Sequence, residues 1–145
     1  MQYSRRDLSL LLPALFAAQS AVAQKQNEML PSKCYEFDSL PVKTNPKTHN
    51  QSRQVFRGET HEGVPIDLHI TTLQPGEMPH PPHRHVHEEL MLIQKGTLEF
   101  TISGKSSKVG PGSVVFVHSE DLHGLKNVGS EPAQYFVLAI GHQKA

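Results

Sequence analysis

Between Ile66 and Thr71 the chain alternates strictly, with Ile66, Leu68 and Ile70 on one side and Asp67, His69 and Thr71 on the other. A period of two belongs to an extended strand, whose successive side chains leave opposite faces of the pleat. Leu98, Phe100 and Ile102 alternate in the same way with Thr97, Glu99 and Thr101. Glu89 to Gln94 reads as a strand running into Lys95-Gly96, where a hairpin turn is predicted. Further apolar runs at Val114 to Val117 and Tyr135 to Ile140 are bounded by Gly110-Pro111-Gly112, Gly129-Ser130-Glu131-Pro132 and Gly141. No segment after the N-terminal region sustains a helical period, so the pattern predicts an all-β sandwich or barrel, closed to hide its strand edges.

The chain of 145 residues suits a single domain. Its first 23 residues read differently from the rest. Ser4-Arg5-Arg6-Asp7 precedes a mostly apolar run from Leu8 to Ala18, and small residues up to Ala23 follow. This is the pattern of a cleaved export signal, too short for a permanent span and interrupted by Ser9 and Pro13. The paired arginines with Leu8 resemble the twin-arginine signal, although Ser9 and Leu10 depart from it. The expectation is a periplasmic or secreted bacterial protein with no membrane attachment after cleavage. Residues 24–51 are polar and broken by Pro31, Pro41 and Pro46, which predicts an extended arm with one short strand near Cys34 to Phe37. Residues 52–143 then form the barrel domain.

Basic and acidic residues balance at 14 each, so the chain lacks the basic excess that grips nucleic acid or an anionic membrane. A lone cysteine, Cys34, excludes an internal disulfide framework and any multi-cysteine zinc site, and is read as a buried or idle thiol. Ten histidines, in contrast, need an explanation. On an extended strand His83, His85, His87 and Glu89 share one face, while Arg84, Val86 and Glu88 take the other. Imidazoles and a carboxylate on one face outline a first-row metal site, since neutral imidazole nitrogen and carboxylate oxygen are the donors such ions take.

These residues resemble the cupin motifs. Gly76, six residues, His83-Arg84-His85, three residues, Glu89, six residues and Gly96 match the first. Gly104, Pro111-Gly112 and His123-Gly124-Leu125-Lys126-Asn127 match the second. The resemblance implies a small single-domain cupin of the conserved-barrel type, a double-stranded β-helix or jelly-roll-like barrel. It also implies metal ligation by His83, His85, Glu89 and His123. His118 stands where the family often has proline, which adds an imidazole near the site entrance, and His87 shares the ligand face. Both are therefore candidate catalytic groups, and His87 is also a candidate replacement for His85 or Glu89. Asn127, four residues after His123, is expected on the same face as an orienting residue behind the ligands. His80, between Pro79 and Pro81, reads as a rigid rim residue, and His49, His61, His69 and His142 as surface or structural. Met91, Ile93, Phe100, Phe116 and Phe136 are expected in the core or along the barrel wall beside the site.

The ligand set suits one divalent transition metal, Mn, Fe, Ni, Cu or Zn. A cupin barrel hosts many reactions, so function is an expectation of class. A metal-dependent dioxygenase or related oxidoreductase on a small organic molecule comes first, ahead of a non-catalytic module binding a small ligand or metal. A lyase or isomerase using the metal to polarise a carbonyl is the third reading. A homodimer is expected as well, because the family commonly pairs through sheet edges and the arm is available to exchange.

Overall fold

The computed structural model describes residues 28–142. The export signal read in residues 1–23 lies outside the described residues. The strands are β1 (Val42–Thr44), β2 (Gln51–Glu59), β3 (Pro65–Leu73), β4 (Glu88–Lys95), β5 (Leu98–Ile102), β6 (Lys105–Val109), β7 (Val114–Val117), β8 (His123–Asn127) and β9 (Ala133–Ile140). They form one sheet in the order β1-β2-β3-β9-β4-β7 and another in the order β6-β5-β8, with every pairing antiparallel. This is the all-β, jelly-roll-like barrel that the alternation implies.

Three local expectations are corrected. Residues 83–87 are not a strand: only His83 makes a bridge, to His123, and β4 begins at Glu88. Pro79, Pro81 and Pro82 lack amide donors just upstream, so the chain enters this stretch as a loop. Lys95-Gly96 is not a hairpin either, because β4 lies in the larger sheet and β5 in the smaller. The chain crosses between sheets there, and the tight two-residue hairpin is Ser103-Gly104, both with positive φ, joining β5 to β6. In the arm, a 3-10 turn at Phe37–Ser39 and strand β1 replace the strand expected near Cys34. Ser39 Oγ donates to the Glu36 carbonyl at 2.7 Å and closes that turn. Cys34 is exposed rather than buried.

Pleat parity and register divide the larger sheet into two unlike faces. Its outer face carries rows of apolar residues in direct cross-strand register: Phe56, Leu68, Leu138, Leu90 and Phe116 form one row. Ile70, Phe136, Leu92 and Val114 form the next. The arm covers the β2–β3 side of this face. The Arg53 guanidinium lies 4.6 Å from the Phe37 ring centroid, Tyr35 packs on Phe56 at 5.6 Å, and Leu40 is buried. Over β4 and β7 the face is open, with Leu92, Val114 and Phe116 exposed. Phe116 is therefore not a barrel-lining residue, and the half-buried Phe136 also faces outward.

The inner face packs at one end into a core of Leu73, Met91, Ile93, Leu98, Phe100 and Tyr135, drawn from both sheets. Asn127 closes this end. It is fully buried, its Nδ2 donates to the Leu73 and Glu131 carbonyls at 3.0 and 2.9 Å, and its Oδ1 accepts from Gly129 N–H at 3.0 Å. A buried amide with every group engaged specifies how β3 meets β8.

The inner face of β2 and β3 is polar. Gln54 and Arg57 stand opposite His69 and Asp67, and the buried Asp67 carboxylate accepts from Gln54 Nε2 at 2.7 Å and from Arg57 Nε. Burial alone would raise the Asp67 carboxyl, but the donors of His69, Gln54 and Arg57 and the Arg57 charge hold it well below the usual carboxylate range.

Two predictions follow from this packing. Gly96 has φ +84° and a Cβ there would sit 2.6 Å from the Ala133 backbone, whereas Gly104 has φ +81° with open space around it. In urea denaturation, Gly104→Ala should lose about 1 kcal/mol from the backbone conformation alone. Gly96→Ala should lose about 1–3 kcal/mol more, from the overlap. Equal losses would contradict the close approach. For Asp67 the depressed native pKa means a stabilising contribution that is present above the unfolded value near pH 4 and lost as pH falls through the native one. Asp67→Asn should cost about 1.5–3 kcal/mol at neutral pH and flatten the acid-side decline in stability. An unchanged decline would place that linkage on other carboxylates.

Candidate metal centre

His83 and His123 are the frame of the site. Each donates its backbone N–H to the other's carbonyl at 3.0 Å, a reciprocal pair that pins the 79–87 loop to β8 and brings the two imidazoles to 4.7 Å between centroids. Glu120 N–H donates to the His85 carbonyl at 2.8 Å, and the Arg84 guanidinium reaches the Glu120 carbonyl, so the loop is held again one turn further on. Glu89 enters from β4 on the inner face, opposite Ala139 and Val117. Loop, β4 and β8 thus each bring part of the cluster, which explains why residues far apart in sequence meet.

The donors converge. One ring or carboxylate atom each from His83, His85 and His123 lies within 4.8 Å of the others, and the same holds for His85, His87 and Glu89. The Glu89 carboxylate stands 3.4 Å from His85 Nε2 and 3.5 Å from the Nε2 atoms of both His87 and His123. His85 Nδ1 donates to the His87 carbonyl at 2.7 Å, and His123 Nδ1 donates to the Asp121 carbonyl at 2.9 Å. These bonds put the proton on Nδ1 and leave the Nε2 lone pairs facing the cluster. His83 Nδ1, His85 Nε2 and His123 Nε2 are buried with no hydrogen-bond partner.

Burial and the neighbouring imidazoles disfavour protons on His83 and His87, whereas His123 holds its proton more readily. Burial, then the charges of His80, His123 and His85, push His83 down to about 4. Burial and the neighbouring His85 charge lower His87 as well. Burial alone would raise Glu89, but the facing His123 imidazole and the His85, His123 and His87 charges bring it down to about 2. His123 is raised, chiefly by the Glu89 carboxylate that faces its Nε2 at 3.5 Å. A lasting carboxylate among imidazoles with orphaned nitrogens, and no thiolate, fits one divalent transition metal.

The other candidate residues separate. His87 belongs to the cluster: its ring stacks on His85 at 3.7 Å. His80 is exposed at the rim, its ring edge-on to His83 at 4.2 Å. His118 does not approach the entrance. Parity with Val114 and Phe116 turns it to the outer face, where its Nε2 lies 3.9 Å from Glu88. Asn127 touches none of the histidines, because its amide is spent on the backbone at the core end.

A cavity of about 550 Å³ opens from Glu89 and His123 towards the arm, with Leu73, Met91 and Val137 among its apolar walls. His69, read from sequence as surface or structural, lines it; Nδ1 is 3.8 Å from Asp67. The polar side of the β3 alternation was the available signal. Apolar residues are normally the inward set, so the pattern alone points His69 the other way.

The family model for the cupin domain matches residues 69–140. Solved structures agree in fold at low identity. The polyketide cyclase RemF from Streptomyces resistomycificus is 16% identical, with 79% of this chain and 83% of that one covered at a TM-score of 0.63. A sugar phosphate isomerase from a cupin superfamily, from Silicibacter pomeroyi, is 15% identical over 76% of each chain at 0.60. The cupin domain of an XRE family transcriptional regulator from Enterobacter cloacae is 23% identical, covering 66% of this chain and 98% of that one at 0.54. No curated protein matches the sequence. With a two-sheet antiparallel barrel and a histidine and glutamate cluster at one end, residues 69–140 match the cupin domain, and the solved structures share the fold of the barrel.

Proposed function

We propose that this is an exported, metal-dependent enzyme acting on a small organic molecule, with an oxidoreductase of the dioxygenase type as the leading reading. The observation that carries it is the set of orphaned nitrogens on His83, His85 and His123 beside the Glu89 carboxylate, at the end of a cavity sized for a small molecule. A divalent metal bound there supplies a Lewis acid and, if redox-active, a centre for O₂ chemistry. Four protein ligands leave about two positions of a six-coordinate ion for substrate or O₂. His87, next to Glu89, is the group suited to hold or move a proton at its imidazole. Export rests on residues 1–23. The Arg5-Arg6 pair favours loading of the metal in the cytoplasm before transport.

A redox-neutral reading has its own support, since similar folds carry the names polyketide cyclase and sugar phosphate isomerase. Fe-loaded protein should consume O₂ with a turning-over substrate, and the Zn form should not. Turnover by the Zn form without O₂ uptake would establish the lyase or isomerase reading instead. Tight binding without turnover by either form would leave a ligand-binding module.

Protein purified without added metal should contain about one transition-metal ion per chain by elemental analysis. His83→Ala and His123→Ala should each lose it while keeping the β-sheet circular dichroism of the parent, and His118→Ala should retain it. Metal retained in both of the first two variants would overturn the assignment.

The same reading includes a homodimer. What supports it in addition to sheet edges and the arm is the open outer face over β4 and β7, where Leu92, Val114 and Phe116 are 41%, 58% and 51% exposed. Identical apolar patches related by a two-fold axis bury each other, and the neighbouring charge, Glu88, already has His118 beside it. Phe116→Lys together with Val114→Lys should turn a dimer into a monomer in sedimentation. A dimer that resists those changes but dissociates when residues 24–41 are removed would assign the contact to arm exchange.

A further inference from the structure

The cavity has two charged ends. At one, Glu89 is the sole carboxylate lining it among the described residues and belongs to the metal cluster, so a divalent ion bound there leaves that end net positive. Four strand pairings away, on β1, stands Lys43, among the described residues the sole lysine or arginine lining the cavity. Register puts Lys43 on the inner face. It is opposite Ser52 in β2, Ser52 is opposite Thr71 in β3, and Thr71 is opposite Tyr135 in the core strand β9. Among the described residues Lys43 has no carboxylate within ion-pair distance.

Its position is set by more than one strand pair. The 45–50 loop that follows β1 is tied both to itself and to the barrel. Asn45 Oδ1 accepts from the amides of Lys47 and Thr48 at 2.9 and 3.3 Å, and Asn45 N–H donates to the Asn50 carbonyl at 2.9 Å. Asn50 Oδ1 accepts from Gln74 N–H at 2.9 Å, at the end of β3. The arm is therefore a wall of the cavity. It adds hydroxyl and amide groups beside Lys43, among them Thr44, Thr48, Gln51 and Ser52. Apolar Leu73, Met91 and Val137 also line the cavity, and a low-dielectric wall strengthens the pull of both charges on an anion.

We propose that the site takes a small hydroxylated organic acid held at two points, one oxygen-donor end on the metal and a carboxylate on Lys43 of the arm. This rests on the metal-dependent reading above and adds the substrate class to it. An ammonium at the arm end meets Lys43 with like charge and is rejected. An acid with a second carboxylate gains a charge-assisted hydrogen bond there that a single-headed acid lacks.

The test is a titration of Co(II)-loaded protein, whose visible spectrum changes when a ligand oxygen joins the metal. Two matched pairs are used, malate against lactate and glucarate against gluconate, so that each pair differs in the second acidic end at one of two chain lengths. In at least one pair the diacid should bind about tenfold more tightly than its partner. Lys43→Glu should abolish that preference and Lys43→Arg should retain it, with the single-headed acid little changed. Equal binding within both pairs, or a preference that survives Lys43→Glu, overturns the two-point proposal and leaves the metal reading standing. If none of the four acids perturbs the cobalt spectrum, the open metal position fails along with it.

Discussion

Burying imidazole nitrogens without hydrogen-bond partners costs about 1–3 kcal/mol for each one. Three are buried in this way beside the Glu89 carboxylate, and much of the surrounding structure serves to keep them there. The reciprocal backbone bonds of His83 and His123 stop the loop from swinging its imidazoles into solvent. The carbonyls of His87 and Asp121 hold the rings of His85 and His123 from behind, so that neither can rotate freely to satisfy its lone pair elsewhere. A site whose donors are held apart from partners is one preorganised for a cation.

The barrel can hold such a site because its two ends are differently built. Around Leu98, Phe100, Ile93 and Tyr135 the sheets close into a core, and Asn127 ties the end of β3 to β8 and the chain that follows it. Elsewhere β2 and β3 turn Gln54, Arg57, Asp67 and His69 inward, and His69 lines the cavity beside Glu89 and His123. Arg57 and Gln54 make that polar wall tolerable by satisfying the one buried carboxylate in it. The packed end supplies stability, and the polar end positions chemistry.

The outer face follows from the same parity. Turning Asp67, His69 and Thr71 inward turns Ile66, Leu68 and Ile70 outward, and the arm covers part of that surface with Tyr35, Phe37 and Leu40. The arm thus has two tasks. Its first part shields apolar surface on the outside, and β1 with the 45–50 loop completes the cavity on the inside.

The strand class, most strand positions and the identity of the clustering residues were legible in sequence, because period-two alternation and residue spacing are local properties. What alternation cannot state is which face turns inward. On β3 the rule that apolar residues point in fails, since the interior there is a polar cavity and not a core. The same limit hid His69 and misplaced His118, whose parity with the exposed Val114 and Phe116 turns it outward. The turn signal at Lys95-Gly96 does not make a hairpin, because a local turn signal carries no information about which sheet receives the next strand. The sequence by itself determined an all-β chain with His83, His85, His87 and Glu89 close together and His123 available to join them. Only the tertiary structure decided which face became the interior and which wall the arm completed. Those are set by long-range pairing and burial, and both depend on residues far apart in the chain.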